Sequence, residues 1–165
     1  MLADIHHTIG FCLHDVYGVR HPSRHTISTG YPVLATRSPH LLFLTCICFA
    51  AQVLKMSLTK MNCTVDVAED GTKALEAVTK SIESNHPYQL ILMDLRMPNM
   101  DGFEATRMLK EVMKYSVPIV ALTAETGADV RERCKHIGFD KFVQKPLRGA
   151  LLKSILDQFC QHVTE

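Results

Sequence analysis

The sequence predicts a parallel α/β sheet covered by helices on both faces, a doubly wound (βα)5 arrangement. Three observations point to it. From Leu41 onward, β-prone runs and helix-period runs alternate, five of each. The spacing between them is short, as in βαβ units, where a helix carries the chain back to start a parallel strand. The third and fourth strands are almost continuously apolar, as strands buried on both faces must be.

Each element has its own signature. LLFLTCICF, Leu41 to Phe49, is rich in aromatic and branched residues and reads as the first strand. In AQVLKMSLTKM, Leu54, Leu58 and Met61 recur at i, i+4, i+7 and form one helical face. Cys63 to Ala68 (CTVDVA) reads as the second strand, with Val65 and Val67 alternating with polar neighbours, and Glu69-Asp70-Gly71 turns the chain. Ala74, Leu75, Val78 and Ile82 mark the second helix, and Gln89 to Met93 the third strand. Ala105, Met108, Leu109 and Val112 mark the third helix. Val117 to Leu122 is the fourth strand, with Pro118 near its start, where a missing N–H is tolerated. Val130, Cys134 and Ile137 mark the fourth helix, Phe139 to Val143 the fifth strand, and Leu147, Leu151, Ile155, Leu156 and Phe159 the last helix.

Residues 1–38 differ in character. They hold His6, His7, His14, His21 and His25 among scattered Gly, Pro, Ser and Thr, with no sustained period, and an irregular extension is expected there. With Cys12 these histidines match no common metal-site spacing. The regular domain is expected over residues 39–163.

Composition narrows the function. Of 165 residues 47% are apolar, enough for one packed domain, and 18 Lys and Arg balance 17 Asp and Glu. Such a balance points to neither a nucleic-acid partner nor a membrane surface. The six cysteines include no CxxC pair and are expected to be reduced thiols. The N-terminus lacks a basic start followed by an apolar run, and the longest apolar stretch, Leu41 to Ala51, is well short of the ~20 residues that span a bilayer. An intracellular location, cytoplasmic or nuclear, is expected. No kinase or ATP-binding motif occurs, and no output module is expected after Cys160.

The chemistry sits at the strand ends, because ligands of an open parallel sheet bind beyond the carboxyl ends of its strands. Asp94 ends the third strand, Thr123 the fourth, and Lys145 follows the fifth. A carboxylate can carry a phosphoryl group as a mixed anhydride, a hydroxyl can donate to one of its oxygens, and an ammonium can neutralise another. Pro98 and Asp101-Gly102 turn the chain after Asp94. The isomer of the Lys145–Pro146 bond is open.

LILMDLRMPNMDG (Leu90 to Gly102), VPIVALTA and FVQKPL, together with VDVAEDGTKALEAV, closely resemble the receiver domain of two-component response regulators, in the style of eukaryotic hybrid histidine kinases. The likeness runs from about Ala51 to His162. It implies a flavodoxin-like fold with strand order 2-1-3-4-5. It implies that Asp94 accepts phosphate from a histidine kinase or histidine phosphotransfer protein, and that Thr123 and Lys145 bind the phosphoryl group. Phe142 stands where the family often carries a switch aromatic, in reach of the face made by the fourth helix, fifth strand and fifth helix.

One feature departs from the family. Receivers place an acidic pair after the first strand to help hold Mg²⁺, and an ungapped count back from AQVLKMSL puts Thr45 and Cys46 there. Between Arg37 and Ala68 the only acid is Asp66. Asp94 and the backbone carbonyl of Arg96 remain as oxygen ligands, so Mg²⁺ binding is expected to be weak. Two readings follow: a phosphoaccepting receiver, or a pseudo-receiver that binds partners without phosphorylation. A small-molecule enzyme on the same scaffold lacks both a glycine-rich phosphate loop and a second catalytic acid.

Overall fold

The computed structural model describes residues 38–45, 48–125 and 127–160. The expected N-terminal extension up to residue 37, with its histidines and Cys12, lies outside the described residues, as does Cys46.

Among the described residues, five strands and five helices alternate: β1 His40–Leu44, α1 Cys48–Lys60, β2 Thr64–Ala68, α2 Gly71–Glu83, β3 Leu90–Asp94, α3 Gly102–Arg107, β4 Ile119–Thr123, α4 Ala128–Ile137, β5 Lys141–Gln144 and α5 Gly149–Phe159. A π-helical turn, Met108–Val112, continues α3. The strands form one sheet in the order β2-β1-β3-β4-β5, every neighbouring pair parallel. This is the flavodoxin-like arrangement, with its switch point between β1 and β3.

Successive side chains of a strand point to opposite faces. On one face Leu41, Phe43, Leu90, Leu92, Val120 and Leu122 pack with Leu58 of α1 and Leu152, Ile155 and Leu156 of α5. The alternate residues Leu42, Leu44, Ile91, Met93, Ile119 and Ala121 are fully buried as well. The three central strands are therefore covered on both sides, which explains their unbroken apolar runs.

Several local expectations need correction. The first strand stops at Leu44 instead of running to Phe49, because its partners β2 and β3 stop pairing at Ala68 and Met93. Cys48 already belongs to α1. Val67 is 39% exposed, because β2 is an edge strand and is not covered on both faces. Ile82, Val112 and Leu151 also face solvent, while Ser81 and Leu152 take the inward places in α2 and α5. Cys63, Cys134 and Cys160 are free and buried. Burial pushes the Cys63 thiol up to about 11 and that of Cys160 up to about 12, so both stay protonated and behave as small apolar groups.

Helix ends are held by the expected chemistry. Asp101 caps α3 by accepting from the Glu104 N–H at 2.8 Å. Gly138 closes α4 in the left-handed conformation, with φ 100°. Asp70 caps α2, accepting from the Lys73 N–H at 2.9 Å and from the Asn99 side-chain amide at 2.7 Å. Burial works to raise the Asp70 pKa, but these hydrogen bonds outweigh it and hold the carboxyl below the ordinary range. A carboxyl lowered by folding stabilises above its unfolded pKa, and the gain fades as pH falls through the folded value. Asp70→Ala is therefore expected to lose about 1 kcal/mol in urea unfolding at pH 7. The gap to wild type should close below about pH 4. An equal gap at pH 7 and pH 3 would contradict that origin.

Candidate functional site

The rim beyond the strands' carboxyl ends gathers Asp94, Lys145 and Thr45, with Thr123 beside them. Asp94 is the last residue of β3, opposite Leu122 of β4, and is 3% exposed. Its Oδ2 accepts from Lys145 Nζ at 2.5 Å and from the Thr45 hydroxyl at 3.4 Å. Its Oδ1 accepts from the Arg96 N–H at 3.1 Å. The carboxylate is thus nearly enclosed and carries donors on both oxygens, as a buried charge requires.

Thr123 ends β4 and is 2% exposed. Its carbonyl accepts from the Lys145 N–H at 2.7 Å, which locks the two strand ends together. Its hydroxyl accepts from the Glu125 N–H at 3.0 Å and so retains its own proton to donate. The Lys145–Pro146 bond is cis. Phe142 lies in β5, half-buried and paired in register with Ala121, and the Arg131 guanidinium sits 5.1 Å from its ring centroid.

The loop between β3 and α3 returns tightly against Asp94. The Gly102 N–H donates to the Leu95 carbonyl at 3.2 Å. A Cβ on Gly102 would meet the Asp94 carbonyl oxygen at 2.3 Å. The start of α3 is therefore seated on the backbone that carries the carboxylate.

Two interactions were not visible from residue spacing. The Arg96 guanidinium pairs with Glu125, Nε to Oε1 at 2.7 Å with Nη2 on the same oxygen, across two loops that no sequence period connects. Asp66 is also committed elsewhere. It stands in register with Leu42, below the rim, and accepts from His40 Nε2 at 3.0 Å and the Tyr88 hydroxyl at 2.8 Å.

A hard divalent cation wants several oxygen ligands in octahedral array. Around Asp94 the described residues offer that carboxylate, already taken up by donors, and a neutral hydroxyl at Thr45, while the Glu125 carboxylate on the neighbouring loop is engaged by Arg96. Among the described residues no three His, Cys, Asp or Glu side chains could hold a metal ion. This donor set does not fit a resident Mg²⁺.

Comparison with known proteins follows the same lines. The family model of the response regulator receiver domain matches residues 49–157. The chain belongs to the response regulator receiver family. The receiver is 35% identical over 96 residues to the osmosensing histidine protein kinase SLN1 of Saccharomyces cerevisiae, covering 58% of this chain and 8% of that protein. It is 41% identical over 109 residues to the sensor protein EvgS of Escherichia coli, covering 66% of this chain and 9% of that protein. The chain thus spans less than a tenth of the length of either relative. Among solved structures, the chemotaxis protein CheY4 of Vibrio cholerae superposes with TM-score 0.68 at 25% identity, over 74% of this chain and 99% of that one. The receiver domain of a sensor histidine kinase from Pseudomonas aeruginosa superposes with TM-score 0.66 at 28% identity, over 76% of this chain and 99% of that one. That structure has a magnesium ion coordinated in its active site cleft. No described helix of the present receiver is long and apolar enough to cross a membrane.

Proposed function

We propose that this receiver, over residues 39–163, accepts a phosphoryl group on Asp94 from a phosphohistidine of a histidine kinase or a histidine phosphotransfer protein. One observation carries the reading: the Lys145 ammonium lies directly on a nearly enclosed Asp94 carboxylate at a strand end. In the transfer, an Asp94 oxygen attacks phosphorus, the P–N bond breaks, and the imidazole leaves with a proton from solvent. Lys145 balances the incoming charge and the Thr123 hydroxyl donates to a phosphoryl oxygen. The domain turns over no free substrate; it stores a phosphoryl group and changes its surface. Phe142, beside Arg131, is placed to pass that change to the face of α4, β5 and α5. The setting is intracellular, where such donors are made, and neither nucleic acid nor a membrane is needed as a partner.

The test is incubation with phosphoramidate followed by intact mass. A labile single-phosphate adduct is expected, absent in Asp94→Asn. An adduct that persists in that variant would move the acceptor elsewhere. The competing reading is a pseudo-receiver that binds partners without phosphorylation. It is favoured by the neutral Thr45, where the family has a carboxylate. It wins if wild type forms no adduct at any Mg²⁺ concentration.

A further inference from the structure

The ion pair between Arg96 and Glu125 spans the two loops that flank Asp94. Arg96 follows Asp94 by two residues and its N–H already holds Asp94 Oδ1. Glu125 follows Thr123 by two residues and its N–H holds the Thr123 hydroxyl. The pair therefore lies between the residues next to the carboxylate and those next to the hydroxyl.

Charge counting at this rim gives the pair a purpose. Asp94 and Glu125 oppose Lys145 and Arg96, so the resting site is balanced. Phosphorylation replaces one carboxylate charge with a phosphoryl dianion, and one negative charge is then left over. Where an acidic pair is present, a divalent cation can neutralise it. Here the donor set does not fit one, and besides Lys145 the loop that holds Asp94 carries the cation Arg96, whose own N–H is bonded to Asp94 Oδ1. Its side chain is 79% exposed and that of Glu125 is 40% exposed. Exposed pairs are weak and screened, so this one is easily exchanged. A guanidinium holds phosphoryl oxygens two at a time, more strongly than it holds one carboxylate oxygen in water.

We infer that Arg96 exchanges partners during phosphoryl transfer, leaving Glu125 to solvent and pairing with the phosphoryl oxygens, so that it supplies the countercharge a metal would otherwise bring. Glu125 is then the resting partner that restrains it. The inference rests on Asp94 being the acceptor.

The experiment measures the rate of adduct formation from phosphoramidate, by intact mass, in EDTA. Arg96→Ala should slow it roughly tenfold. Millimolar guanidinium should restore part of that rate, because a small cation can occupy the vacated place; a merely structural role would not respond. Arg96→Lys should fall between, lacking the two-point grip. Glu125→Gln should react a few times faster than wild type, since it no longer competes for the guanidinium. If Arg96→Ala matches wild type while Asp94→Asn is inert, the inference fails and the acceptor stands. If Arg96→Ala is slow, melts lower and ignores guanidinium, the role is structural and the inference fails. If wild type forms no adduct in EDTA but does with Mg²⁺, the inference fails and the acceptor stands; if it forms none with or without Mg²⁺, the acceptor and the inference fall together.

Discussion

Gly102→Ala should cost about 3 kcal/mol of folding stability, or roughly 10 °C in melting temperature. The reason is local and backbone-bound. The new methyl would lie 2.3 Å from the Asp94 carbonyl oxygen, 3.0 Å from the Leu95 Cα and 3.0 Å from Met93 Cγ. No side-chain rotation relieves a clash with a carbonyl oxygen and a Cα, so α3 must lift from the end of β3. That lift also pulls on Leu95 and Arg96, whose N–H holds Asp94 Oδ1. A loss of phosphoryl acceptance larger than the loss of fold should accompany it. Thermal melts and adduct rates on the same variant check both; an unchanged melting temperature would contradict the close approach.

Thr45→Asp should make the chemistry depend on Mg²⁺. Thr45 is 3% exposed and its hydroxyl lies 3.4 Å from Asp94 Oδ2. A carboxylate there sets two negative charges within a few ångströms in a nearly dry site, and one of them then resists ionisation. Without metal the variant should lose about 1–3 kcal/mol of stability and form adduct more slowly than wild type. With millimolar Mg²⁺ the two carboxylates become ligands, stability recovers, and adduct formation should exceed that of wild type by about tenfold. Adding Cys46→Asp should strengthen the response. Melts and adduct rates with and without Mg²⁺ decide it. A variant indifferent to the metal would show that residues 45 and 46 do not occupy the place of the acidic pair.

The fold was legible because the burial that stabilises it most, that of the central strands, is written as runs such as Leu90-Ile91-Leu92-Met93. Periodicity located every helix but misjudged faces wherever the far side was not what a regular period assumes. Val65 and Val67 alternate with polar neighbours alike, yet only Val65 is buried, because the edge strand β2 is not covered along its whole length. Val112 fell on the apolar stripe of α3, yet the stripe shifts where the helix widens. The meeting of Asp94 and Lys145 follows from topology: parallel strands in adjacent order end at one rim, so a residue just past each strand arrives there. The Arg96–Glu125 pair was not legible. It depends on two loop conformations and two long side chains, and neither carries a period.

The helix after β3 contains a wide turn at Met108–Val112, in which the Met113 N–H reaches back to the Met108 carbonyl at 3.0 Å. Such a turn stores one surplus residue. Deleting a single amino acid within it would let the remaining backbone settle into ordinary winding with Phe103 before it unmoved, and because the helix ends at Val112 no later helical turn would be rotated. Elsewhere in a helix, the same deletion would rotate everything downstream by about 100°. This short stretch is where a one-residue deletion is expected to cost the interior least, which the melting temperature of such a variant would check.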